Sequence, residues 1–180
     1  MISELTAEET RIEVMAKVTR IFDSPPFYDA CPECKKKVIP NEDGSADCEK
    51  HGEIVSQARA RLSLLLDDGS GTITATAIGE TAEKLSGRLS SELKDAVKAM
   101  EDTGLSSNEA VREVITKLRE EIEGNDFIFI GRTNLRQRSG DEEEQRIELL
   151  VNQIKDVDPA KEAVKMLDQA EMEDYGDFDG

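Results

Sequence analysis

Hydrophobic and polar positions alternate with a period of two over residues 11–23, RIEVMAKVTRIFD, where Ile12, Val14, Ala16 and Val18 share one face and Glu13, Met15, Lys17 and Thr19 the other. That period predicts a half-buried strand. QARARLSLLLDDGSGTITATAIGE, residues 57–80, predicts two more strands joined by a glycine-rich hairpin. In the first of these, Ala58, Ala60, Leu62, Leu64 and Leu66 point inward, while Arg59, Arg61 and Ser63 point out. From 81 to 124 the period becomes helical. Leu89, Leu93, Ala96, Val97 and Met100 mark one helix, and Val111, Val114, Ile115, Leu118 and Ile122 mark a second. Thr103-Gly104 divides them, Ser106-Ser107-Asn108 offers caps, and Gly124 ends the second. Residues 126–138 and 146–157 are again strand-like, around the polar hairpin SGDEEEQ, with Phe127 and Phe129 expected in the core.

Three strands, a helical connection and two strands make a mainly β protein with helices. That order fits the five-stranded OB-fold barrel, a small Greek-key fold whose second and third strands bind oligonucleotides or sugars. Asp158-Pro159 then opens a C-terminal helix over 159–173, with Ala160, Ala163, Val164, Leu167 and Ala170 along one side. Such a stripe packs on its own barrel or bundles with other chains. The acidic residues 174–180 are expected to be disordered. The expected division is therefore an OB-fold domain over 1–158, the helix over 159–173 and the tail over 174–180.

A chain of 180 residues with 37% hydrophobic and 35% charged side chains holds one modest core under a highly charged surface. Its apolar runs are short, and MISELTAEETR has neither the basic nor the apolar part of a secretory signal, so a soluble, cytoplasmic protein is expected. With 23 basic against 40 acidic residues the net charge is −17. Such a charge repels phosphate backbones at long range. Screening over about 8 Å at physiological salt leaves each groove to its own nearby charges.

Cys31, Cys34, Cys48 and His51 are all the cysteines and the only histidine, arranged as C-x2-C followed by C-x2-H. Two such knuckles present four donors to one ion, the pattern of a structural zinc site. A reduced thiol cluster or a disulfide is the alternative, and iron would favour four sulfurs over three with an imidazole. Four protein ligands leave no open position for an activated water, so the zinc is structural and the site is not catalytic. With that histidine engaged, and DDGSG reading as a turn, no nucleophile and base remain, and no enzyme is expected. The ribbon over 29–54 falls between the first and second barrel strands, and the helical connection over 81–124 between the third and fourth.

YDACPECKKKV, CEKHGE, RLSLLLDDGSGTITATAIGETAEKLSG, FIFIGRTN and VNQIKDVDPAKEA together resemble the zinc-ribbon OB domain at the C-terminal end of the archaeal replication protein A large subunit, across roughly residues 11–170. The resemblance implies single-stranded DNA binding in DNA replication, recombination and repair, with the C-terminal helix contacting other replication protein A subunits. A longer helical connection and a single barrel depart from that pattern. The mechanism implied is cations along the phosphates and aromatic rings under the bases. The candidates are Arg59, Arg61, Arg132, Arg136 and Arg138, with Asn134 beside the last three, and Lys35, Lys36 and Lys37 on the ribbon. Of the few aromatics, Tyr28 is the first choice as a stacking platform, with Phe27 beside it. A second reading makes the chain a subunit-assembly module with little DNA contact.

Overall fold

The computed structural model describes residues 1–6, 9, 11–137 and 145–158. Its strands are β1 (Ile12–Ile21), β2 (Phe27–Ala30), β3 (Ser45–Cys48), β4 (Gly52–Val55), β5 (Gln57–Asp67), β6 (Thr72–Ile78), β7 (Asp126–Gln137) and β8 (Gln145–Asp156). Its helices are α1 (Glu80–Ser86), α2 (Ser90–Asp102) and α3 (Ser107–Ile122). The strands run β1-β7-β8-β6-β5, and β5 returns to β1, so five strands close an OB-like barrel with the helices between its third and fourth members. Only the β6–β8 contact is parallel within the barrel, so the chain must cross over between those two strands, and the three helices and β7 make that crossing.

The alternation expected for the first strand is observed, with Ile12, Val14, Ala16 and Val18 all buried. They meet Ala60, Leu62, Leu64 and Leu66 from β5, Ala75 and Ala77 from β6, and Phe129, Leu149 and Ile154 from the last two strands. Ala82, Leu85, Leu93, Ile115, Leu118 and Ile122 bring the helices into the same cluster. A closed barrel this small needs short side chains at some inward positions, and the alanines of β6 supply them. Phe127 is half-buried and meets Phe129 edge-on, with ring centroids 6.1 Å apart.

Local details depart from the sequence expectation in four places. The helical connection holds three helices, because Gly87 takes a left-handed conformation (φ 65°) and stops a short helix at Ser86. Leu89 is therefore the residue preceding α2 and is 58% exposed, not a packed member of that helix. Ala58 is half-buried, since β5 at that point pairs with β2 on one edge. β2 itself was not predicted, because FYDA shows no alternation. Arg138, the SGDEEE part of the polar hairpin, the segment 159–173 with Ala160, Ala163, Val164 and Leu167, and the tail lie outside the described residues.

The end of α3 is tied to the end of β1. Arg119 donates from Nε and Nη2 to the Ile21 carbonyl at 2.9 and 2.6 Å, and Glu123 accepts from the Ile21 amide at 2.7 Å. At the opposite end Asp68 accepts from the Ile2 amide at 2.7 Å and from Ser70, holding the first turn of the chain on the β5–β6 hairpin. Burial raises the Asp68 pKa, but the Ser70 hydroxyl and the Ile2, Ser70 and Gly71 amides together lower it further, so it lies below its ordinary value. The stabilisation is therefore complete at neutral pH and is lost as pH falls through that lowered value. An Asp68→Asn variant should have a flatter acid limb in its stability-versus-pH profile, measured by urea melts from neutral pH downward.

Between Ile130 and Gly131 the register of β7 on β8 shifts, leaving Asn152 as the extra residue of a bulge. A Cβ on Gly131 would stand 2.1 Å from the Leu150 carbonyl oxygen. Gly131→Ala should thus force the two strands apart and cost about 1–3 kcal/mol or more, read from denaturant midpoints.

Candidate metal centre and basic groove

The four predicted ligands come together on the insert between β1 and β5. Cys31 and Cys34 lie just after β2, while Cys48 ends β3 and His51 falls in the turn to β4. In the first knuckle the Lys35 amide donates to the Cys31 carbonyl at 3.0 Å and the Cys31 amide to that of Lys36 at 2.9 Å, with Lys35 at φ 61°. In the second, the His51 amide donates to the Cys48 carbonyl at 3.2 Å. All four donor atoms lie within 4.8 Å of one another. Cys34 Sγ is 3.6 Å from Cys48 Sγ, and His51 Nδ1 is 3.3 and 3.7 Å from the sulfurs of Cys31 and Cys48. A tetrahedral ion with metal–sulfur bonds of about 2.3 Å needs sulfurs about 3.8 Å apart, so this cluster could bind a metal ion.

Its electrostatics suit that role. The Cys48 thiol is lowered to about 6, chiefly by the Lys50 amide pointing at its sulfur, and Cys31 is lowered chiefly by the Cys34 amide. Cys34 receives the Lys36 amide, which lowers it, yet burial and the neighbouring sulfurs raise it overall. His51 is raised by its bonds to the Cys31 and Cys48 sulfurs. Glu33 stands 3.3 Å from His51 Nε2, the ring nitrogen not facing the sulfurs, and holds the imidazole in orientation. Cys31, Cys48, Val38 and Ala46 form their own small cluster, separate from the barrel core.

The outward residues of β5 line two adjoining concavities. One, of about 540 Å³, is bordered by Arg59, Lys35, Gln57, Arg132 and Asn152; the other, of about 450 Å³, by Arg61, Tyr28, Phe27, Lys35, Lys37 and Ser63. Lys35 and Ile78 border both, so the two are one groove crossing the outer faces of β2, β5 and β6 to the β7–β8 edge. β2 sets its wall, because Tyr28 pairs directly with Arg59. Tyr28 donates its hydroxyl to the Lys35 carbonyl at 3.3 Å, which braces the ring against the first knuckle. Phe27 also leans on the Val97, Ala110 and Val114 cluster of α2 and α3.

Arg59 lies against Gly79, where a Cβ would come within 3.1 Å of its Nε and where φ is +63°. Arg59, Arg61, Lys37 and Arg132 have no carboxylate partner among the described residues. The acidic residues bordering the groove are Glu80 and Glu83, and Glu83 is engaged by the Ser90 amide and hydroxyl at 2.7 and 2.5 Å. Thr76 on the floor donates its hydroxyl to buried Glu148.

Not every candidate joins the groove. Lys36 borders a different surface with Ile39 and Asp47, and its Nζ is 3.6 Å from Glu49. Lys37 borders both that surface and the groove, while Lys35 borders the groove, a division that sequence order alone does not reveal. Asn134 is exposed on β7 beyond Arg132, and Arg136 sits two positions further, across from Arg146. Gln57, Ile78, Gly79 and Asn152 are groove residues that the sequence reading missed. Only Gly79, at the end of a strand, carried a local signal.

No described helix is long and apolar enough to cross a membrane. The family described as "Replication factor-A C terminal domain" matches residues 12–166. The Replication protein A 70 kDa DNA-binding subunit of Tetrahymena thermophila is 29% identical over 161 residues, covering 88% of this chain and 22% of that one. The chain thus spans about a fifth of the length of this curated relative. Among solved structures, a replication protein A heterotrimer bound to ssDNA aligns over 92% of this chain and 36% of its own, with TM-score 0.67 and 20% identity. Yeast RPA bound to ssDNA aligns over 94% of this chain and 88% of its own, with TM-score 0.63 and 20% identity. At such identities these two likenesses speak to the fold.

If the four donors hold one ion, purified protein should contain one equivalent of metal per chain by elemental analysis. Cys34→Ser should lose it and melt at a lower temperature, since ligation and folding of the insert are coupled.

Proposed function

Because this chain belongs to the replication factor-A C-terminal domain family, we propose that it binds single-stranded DNA through the groove lined by Arg59, Arg61, Arg132, Lys35, Lys37 and Tyr28. The observation that carries this reading is electrostatic. On a chain of net charge −17, these arginines gather on one face with no carboxylate partner among the described residues. Leaving cations unpaired on an otherwise acidic surface suits an anionic ligand. The guanidinium groups would follow the phosphates and Tyr28 would accept a base, with little sequence preference because every base offers a π-face. Arg136 and Arg138 are further candidate phosphate contacts in this reading.

The metal in this reading is zinc, held by Cys31, Cys34, Cys48 and His51 in a closed shell that supplies rigidity and no chemistry. The ribbon it folds places Lys35, Lys37 and the hydroxyl of Tyr28 beside the arginines of β5. The activity is accordingly binding without turnover, serving DNA replication, recombination and repair within a replication protein A assembly of the archaeal large-subunit type. Contacts with other subunits fall to the segment 159–173.

Fluorescence anisotropy with labelled oligo-dT at low salt tests the groove. Tyr28→Ala should weaken binding by ~1–3 kcal/mol, roughly 5- to 150-fold. Arg59→Glu should weaken it on every sequence alike. Lys36→Ala should change little. Undetectable binding by the folded wild-type protein, or unchanged affinity in Arg59→Glu, would overturn the assignment.

A further inference from the structure

The groove carries an acidic residue for which phosphate binding has no use. Glu80 opens α1 straight after Gly79, and it borders the groove together with Arg59, Arg132 and Asn152. It is exposed, and its carboxylate has no cation and no hydrogen-bond donor among the described residues. Glu83, on the same border, differs, because the Ser90 amide and hydroxyl donate to it. An acid in the first turn of a helix complements the helix dipole. In one groove with two arginines that would hold an anion, the same carboxylate also repels that anion. A strand lying here therefore keeps its phosphates on the arginines and turns some other group towards Glu80.

Asn152 borders the groove for a reason of backbone geometry. Val151 and Ile154 are buried while Asn152 and Gln153 between them are both exposed, because the bulge against Ile130 and Gly131 adds one residue to β8. Bulges of this kind re-aim a side chain. Asn152 follows directly on the last β6–β8 pair, Ala77 with Val151, near the end of β6 where α1 begins. Thr81 donates its hydroxyl to the Asn152 carbonyl at 3.2 Å, and Lys84 donates from Nζ to the Ile154 carbonyl at 2.7 Å. These two bonds fix the start of α1, with Glu80 on it, against the bulge. The side-chain amide of Asn152 itself has no partner among the described residues.

We propose, on the footing that the groove holds a single strand, that Asn152 and Glu80 read the edge of a base and select cytosine or adenine over thymine or guanine. Cytosine and adenine present an amine beside a bare ring nitrogen. The amide of Asn152 donates to that nitrogen, and the Glu80 carboxylate accepts from the amine. Thymine and guanine present a carbonyl beside a ring N–H, which sets an oxygen against the carboxylate and a hydrogen against the amide. The unstacked bases of a single strand expose these edges. Stacking on Tyr28 accepts every base, so this end of the groove supplies the discrimination that stacking lacks.

Anisotropy titrations of the full chain with labelled oligo-dC and oligo-dT test this. Glu80→Gln keeps the size of the side chain and adds a donor, so it should raise oligo-dT affinity at least about fivefold more than oligo-dC affinity. An equal rise for both strands, or no change in either, would make Glu80 a charge and nothing more, and would overturn the proposal. Asn152→Leu should weaken oligo-dC binding about fivefold or more, with an unchanged slope against salt because no phosphate contact is lost. An unchanged oligo-dC affinity, or a shallower slope, would equally overturn it. Arg59→Glu separates the two levels, since it should weaken both strands alike. If the wild-type chain binds neither strand, or Arg59→Glu has no effect, the groove itself is misassigned and base selection falls with it. If Arg59→Glu weakens both strands but Glu80→Gln leaves their ratio unchanged, base selection alone falls.

Discussion

Closure of the barrel through the β1–β5 pairing is the constraint on which the other features rest. Without it β1 and β5 would be two open edges and their inward side chains would face water. Once they pair, every second residue on five strands is committed to one interior, and every residue between them to the outside. Arg59 and Arg61 are outside because Ala60 and Leu62 are inside, and Arg132 is outside because Thr133 pairs with inward Leu149. The parallel β6–β8 contact then brings the outer face of β5 and β6 next to that of β7 and β8. Residues more than seventy positions apart in sequence thus border one groove.

The same logic explains how an acidic protein presents a basic surface. Its carboxylates are spread over loops and helices, and several are engaged by nearby cations: Arg88 with Glu121 at 2.6 Å, Lys94 with Asp29 at 2.6 Å, and Arg119 with Asp23 at 2.9 Å. These pairs fasten helices and loops to one another and to the barrel. Among the described residues, Arg59 and Arg61 of β5 and Arg132 of β7 are left out of that network. At physiological ionic strength, with a Debye length of about 8 Å, the groove is governed by its own lining more than by the total charge.

Most of this architecture was legible in the sequence, because it rests on periodicity. Ile12 to Val18 and Ala60 to Leu66 announce their strands by alternation, Val111 to Ile122 its helix by a longer period, and the cysteines and histidine converge as their spacing implies. What was not legible depends on contacts between distant segments. β2 exists because β5 offers it an edge, and FYDA carries no pattern of its own. Lys36 lies towards Glu49 while Lys35 borders the groove and Lys37 borders both surfaces, a division that the run of three lysines does not show. Leu89 looks like a helix position but precedes the helix, since Gly87 interrupts the run. The bulge at Asn152 and the approach of Arg59 to Gly79 follow from pairing registers that only the closed barrel defines.

The central claim is that the unpaired cations of this groove meet the phosphates of a single strand. Its most direct measurement is the salt dependence of oligo-dT binding. With four or five phosphates neutralised, the logarithm of the association constant should fall against the logarithm of salt concentration with a slope of about −3, at roughly −0.7 per contact. A slope near zero, or a constant that rises with salt, would contradict the account.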